Sequence, residues 1–152
     1  MSTEPEANVE LANSIEQLSS LYRGELAAVQ TYVSALCHAS LGRYGDVLRR
    51  QKRVHEERVS SLSARLRDLG AKAPASSGAW GTFVRLVEDA AATFSPEMAL
   101  AVLEEEEDSL AHNYRAAVPM LDDQSRTLVL ERLLPAQNVT HYVVRRVHET
   151  AA

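Results

Sequence analysis

A chain of 152 residues is long enough to bury a core of its own as one domain. It is 45% hydrophobic and 24% charged, with only six Gly and five Pro, which excludes a turn-rich β protein and points to an all-α globular domain. Its net charge of −5, with acids and bases interspersed, excludes the basic face that a nucleic-acid partner requires.

Residues 1–8 are polar and acidic and lack the charged-then-apolar pattern of a secretory signal. They are expected to form a frayed, disordered tail ahead of a single domain over residues 9–150. A first helix is predicted from Val9 to Ala39, with an inward stripe at Ile15, Leu18, Tyr22, Glu25, Val29, Tyr32 and Leu36. The steps alternate three and four, the spacing of a bundle seam. Gly42 and Gly45 interrupt it. A second helix follows from Tyr44 to Leu69, with a stripe at Leu48, Lys52, His55, Val59, Leu62, Leu66 and Leu69, and Gly70 placed to end it. Arg49, Arg50, Lys52 and Arg53 on this helix read as a solvated basic face.

Residues 70–95 form the longest connection, with a short amphipathic helix expected over Trp80–Ala91 and Trp80 as its anchor. Ser95-Pro96-Glu97 is a helix start, with Ser as N-cap and Pro in the first turn. The third helix runs to Val118, with a stripe at Leu100, Leu103, Glu107, Leu110, Tyr114 and Ala117. Asp122 or Asp123 caps a fourth helix reaching Glu149, whose stripe is Leu130, Leu134, Gln137, His141, Val144 and His148. Pro135 lies inside it and predicts a kink. Short loops within each helix pair and a long link between the pairs predict a four-helix bundle of two helical hairpins with one crossover.

Four polar residues interrupt apolar stripes, one per helix: Glu25, His55, Glu107 and His141. Inward positions near mid-helix converge in an antiparallel bundle, so these side chains are expected to meet in the core. The two halves also repeat. Glu25-x6-Tyr32 matches Glu107-x6-Tyr114, and Gln51-x3-His55 matches Gln137-x3-His141. Two buried carboxylates need compensation. A divalent cation supplies it, and carboxylate with imidazole suits iron, manganese or zinc. In that reading Glu25, His55, Glu107 and His141 are the ligands, while Tyr32, Tyr114, Gln51 and Gln137 hydrogen-bond to them. The alternative needs no metal: protonated His beside Glu forms buried links that fix the register of the bundle.

Gly24 through Tyr32, together with His55-Glu56-Glu57-Arg58, Leu62 and Leu69-Gly70, resembles the first and second helices of the ferritin-like superfamily, particularly its rubrerythrin-type bundles. The resemblance covers residues 10–149 and implies an iron-binding, ferroxidase-like oxidoreductase acting with dioxygen or peroxide. Di-iron members carry Glu-x-x-His on the second and fourth helices. Here the residues three before the histidines are Lys52 and Asn138, and those three after are Arg58 and Val144. A mononuclear site, an altered dinuclear site and a metal-free relic are all compatible with that departure. Glu104, one turn from Glu107, is a candidate replacement carboxylate, in an acidic run that otherwise reads as a solvated face.

His38, His112 and His148 read as structural or solvent-facing. Cys37 stands alone, so no intramolecular disulfide forms, and a cytoplasmic compartment fits. No apolar run reaches the roughly 18–20 residues needed to span a bilayer. A homo-oligomer is the expected assembly. A non-catalytic scaffold or stress-related dimer competes with the metalloprotein, and a small-molecule carrier with an apolar core pocket is the third reading.

Overall fold

The computed structural model describes residues 3–76 and 95–151. The expected crossover helix at Trp80–Ala91, with Trp80 itself, lies outside the described residues. Every regular element among those described is helical: α1 Glu4–His38, α2 Gly45–Asp68, α3 Pro96–Ala117, α4 Asp123–Leu128 and α5 Leu134–Ala151. No helix among them is long and apolar enough to cross a membrane.

The expected tail is shorter than the composition suggested. Helix α1 begins at Glu4, because the Glu6 carboxylate accepts the Thr3 N–H at 2.9 Å and acids fill its first turn. Helix α2 ends in a Schellman turn. The Ala71 N–H reaches the Leu66 carbonyl, the Gly70 N–H reaches Arg67, and Gly70 takes φ 77°, which a side chain would resist. Ser95 and Asp122 cap α3 and α4 by accepting the N–H of Met98 and Ser125.

The fourth rod is α4 and α5 joined by a π turn at Val129–Leu133, in which the Leu134 N–H reaches back to the Val129 carbonyl. Pro135 follows at once and has no N–H to give, so the wider turn accommodates the missing bond at the place where the sequence predicts a kink. The turn also resets the inward face. The buried positions are Val129, Leu133, Gln137, Thr140, Val144 and Val147, whereas Leu130 is 47% exposed and Leu134, His141 and His148 are half-buried. Of the predicted stripe, Gln137 and Val144 remain.

Helix α1 packs chiefly on α2, and α3 on α5, so the four rods form two hairpins joined through the α1–α3 contact. Gly24 permits a close approach there, since a Cβ would stand 2.9 Å from Leu110 Cδ2 on α3. The interior holds two apolar clusters. One gathers Tyr32, Ala35, Leu48, Leu100, Leu103 and Val144; the other gathers Leu18, Leu21, Leu62, Leu66, Tyr114 and Leu133. Between them lies a polar layer.

Candidate functional site: a buried ion network

The layer is built from mid-helix residues of all four rods: Glu25 from α1, His55 and Arg58 from α2, Glu107 from α3, and Gln137 and Thr140 from α5. Glu25, His55, Glu107, Gln137 and Thr140 have no exposed surface and Arg58 is 3% exposed. Two carboxylates so placed demand partners, and each oxygen has at least one.

Glu25 Oε1 accepts from Arg58 Nε at 2.5 Å and from the Tyr114 hydroxyl at 2.7 Å, while Oε2 meets His55 Nδ1 at 2.6 Å. Glu107 Oε1 meets His55 Nε2 at 2.7 Å and accepts from the Tyr32 hydroxyl at 2.6 Å. Its Oε2 accepts from Gln137 Nε2 at 2.7 Å and from the Thr140 hydroxyl at 2.9 Å. Gln137 also donates to the Glu107 carbonyl at 2.8 Å, fixing its amide so that its own oxygen accepts from Arg58 Nη2 at 2.6 Å.

Both nitrogens of His55 face carboxylate oxygens, so both must donate: the ring is an imidazolium. Burial opposes that charge, but the negative charge of Glu25 and hydrogen bonds to Glu107 and Glu25 outweigh it and raise the His55 pKa to about 9. Burial likewise opposes ionisation of Glu25 and Glu107. The charge of His55 and the hydrogen bonds from His55, Tyr114, Tyr32 and Thr140 nevertheless hold both carboxyls below the usual range. Tyr32 and Tyr114 are pushed well up, first by burial and then by the carboxylates they serve. Two carboxylates against an imidazolium and a guanidinium leave the layer neutral.

Arg58 Nη2 lies 2.8 Å from His55 Nδ1 and 3.3 Å from Nε2. Closeness to both nitrogens at once means the guanidinium lies against the ring instead of donating to a lone pair. Two cations touch there because each is bonded to a carboxylate. Within the layer, Arg58 Nη1 is buried without a partner among the described residues.

Of the expected ligands, Glu25, His55 and Glu107 come together and His141 does not. Its side chain is 22% exposed and its Nε2 lies 3.9 Å from Asp108 Oδ1, beyond hydrogen-bond reach. Thr140 takes the inward place. Both residues flank the line between Gln137 and Val144, and period alone cannot choose between them. Tyr32 and Tyr114 do serve the carboxylates, crosswise: each bonds the Glu of the other half. Gln137 enters the layer, but Gln51 is spent on the Val47 carbonyl one turn away, at 3.3 Å. Glu104 pairs with His148 outside the layer and replaces no core carboxylate.

Arg58 and Thr140 are the participants that stripe reasoning missed, and the signal for them was in the repeat. Glu25 and Glu107, Tyr32 and Tyr114, Leu18 and Leu100, and Leu21 and Leu103 are each 82 residues apart. The same step carries His55 to Gln137 and Arg58 to Thr140. Pairing Gln51 with Gln137 misaligned the second half by four residues, one helical turn.

A divalent cation does not fit this layer as it is arranged. Neither His55 nitrogen has a lone pair to offer, every carboxylate oxygen is already bonded, and a guanidinium fills the middle. Among the described residues, no three His, Cys, Asp or Glu side chains are placed to hold a metal ion. No protein-family model matches the chain, and no curated protein matches it.

Proposed function

We propose that this chain is a non-catalytic helical module, a ferritin-like bundle in which side-chain cations take the place of a metal centre, and that it works by holding its shape and associating with itself. The observation that carries the reading is the charge closure of the layer by His55 and Arg58 against Glu25 and Glu107. The arrangement of positions supports the family likeness. Di-iron bundles present one Glu from each of two helices and Glu-x-x-His from each of the other two. With the halves aligned at 82 residues, Glu25 and Glu107 take the single-Glu positions, while His55-x-x-Arg58 and Gln137-x-x-Thr140 take the motif positions. None of the four keeps the residue its place in the motif calls for: His55 and Gln137 stand where Glu would, Arg58 and Thr140 stand where His would, and Arg58 is a permanent cation.

The competing reading, a divalent-metal centre with oxidative chemistry, retains Glu25, His55 and Glu107 as ligands but requires Arg58 to leave. Elemental analysis of untagged protein, grown with iron, manganese and zinc supplied, separates the two. Metal far below one equivalent, with the melting temperature indifferent to chelator, supports the module. Stoichiometric metal that disappears in His55→Ala overturns it.

A further inference from the structure

We infer that the outer face of α5 pairs with the same face of a second copy of this chain, the two helices antiparallel about a two-fold axis between Val139 and Tyr142. This names the partner of the module proposed above and rests on that reading only for its purpose, since the geometry stands apart from the buried layer.

The face is the stripe opposite the buried one. Pro135, Val139, Tyr142, Arg146 and Glu149 on α5 follow Arg132 of the π turn in steps of three, four, three, four and three, and all six are exposed. Val139 and Tyr142 are 60% and 64% exposed, at the centre of the stripe. Alternating three and four is the spacing of a helix seam, and here the seam has no partner among the described residues.

The order of the stripe is self-complementary. An isologous contact requires that whatever lies at one distance from the axis match what lies at the same distance on the other side. About the midpoint of Val139 and Tyr142, Val139 meets the second copy's Tyr142. Pro135 meets the methylene stem of Arg146, and Arg132 meets Glu149. One turn aside, Glu131 comes within reach of the second copy's Arg146. The apolar pairs thus fall at the centre and opposite charges fall at the rim, the distribution seen in protein interfaces. Glu149 is free to re-pair. Its present bonds to Arg145 and Arg146, at 3.3 and 3.0 Å, are exposed contacts within one helix, which contribute little.

The test is analytical ultracentrifugation of the untagged full chain across micromolar concentrations, beside Tyr142→Asp, Glu149→Arg, and Glu149→Arg combined with Arg132→Glu. All these positions are exposed, and circular dichroism checks that the fold is kept. A concentration-dependent dimer is expected in the wild type. Tyr142→Asp should weaken it by about 10-fold or more, Glu149→Arg should weaken it less, and the double charge exchange should recover it. A wild type that stays monomeric, as it would were this face covered by a segment of the same chain, overturns the inference. So does a dimer that Tyr142→Asp leaves intact, or a double exchange no better than Glu149→Arg. Mass and metal content are independent, so a failed dimer and a failed metal-free reading are told apart.

Discussion

Arg58 and Thr140 occupy equivalent places in the two halves of the chain and meet at its centre, Arg58 Nη2 lying 3.3 Å from the Thr140 hydroxyl. The internal symmetry therefore runs through the polar layer, and there the halves have diverged. One side presents two cations, His55 and Arg58. The other presents two neutral hydrogen-bonding groups, Gln137 and Thr140. The carboxylates and tyrosines have stayed alike.

Removing Arg58 tests the ion network from its strongest member. Arg58→Ala leaves the buried Glu25 short of a cation and is expected to cost about 3–5 kcal/mol in urea unfolding. Adding Glu25→Gln removes the unbalanced charge and should return part of that loss. Strictly additive losses would mean the two side chains are not coupled.

The tyrosines offer a symmetric test. Each hydroxyl bonds a charged carboxylate, so Tyr32→Phe and Tyr114→Phe should each cost about 1.5–3 kcal/mol. Because the two contacts, 2.6 and 2.7 Å, repeat one another across the halves, the two losses should be similar. Chemical denaturation of both variants measures this directly.

Stability should depend on pH in a way set by the layer. The raised His55 pKa contributes stability that is complete below the unfolded histidine value of 6.5 and is lost as pH rises through about 9. Glu25 and Glu107, lowered below 4.5, contribute stability present above that value and lost as pH falls through their folded values. The optimum therefore falls between about pH 4.5 and 6.5, with a decline towards pH 9. His55→Gln should flatten the alkaline decline; an unchanged slope would assign it to other groups.

His141 and His55 should behave oppositely. His141→Ala removes a partly exposed side chain with no hydrogen bond among the described residues and should change stability by no more than about 0.5 kcal/mol. His55→Ala leaves two buried carboxylates facing a hole and should cost about 3–5 kcal/mol.

Much of this arrangement was legible in the sequence, for reasons that also explain where it stopped being so. Glu25, Glu107 and His55 break apolar seams in long uninterrupted helices, where a residue's facing follows from counting. The fourth rod contains Pro135, and the π turn ahead of it changes the count at Leu130 and Leu134, while His141 and His148 each stand one place past the inward Thr140 and Val147, where period alone does not choose the face. Arg58 was overlooked because an arginine beside Glu56 and Glu57 reads as surface charge. Only the position of Thr140 82 residues later marks it as an inward site. Thr3 and Glu6 show the same limit at smaller scale: an acidic, polar start looked like a tail, yet one side-chain-to-backbone bond starts a helix there.

The central claim is that the layer carries its own positive charge, half of it on His55, and the most direct measurement is the nitrogen NMR spectrum of that ring at neutral pH. The account predicts an imidazolium, with protons on both Nδ1 and Nε2 and no change on adding iron, manganese or zinc. A neutral tautomer, or a nitrogen resonance displaced or broadened by stoichiometric metal, would contradict it.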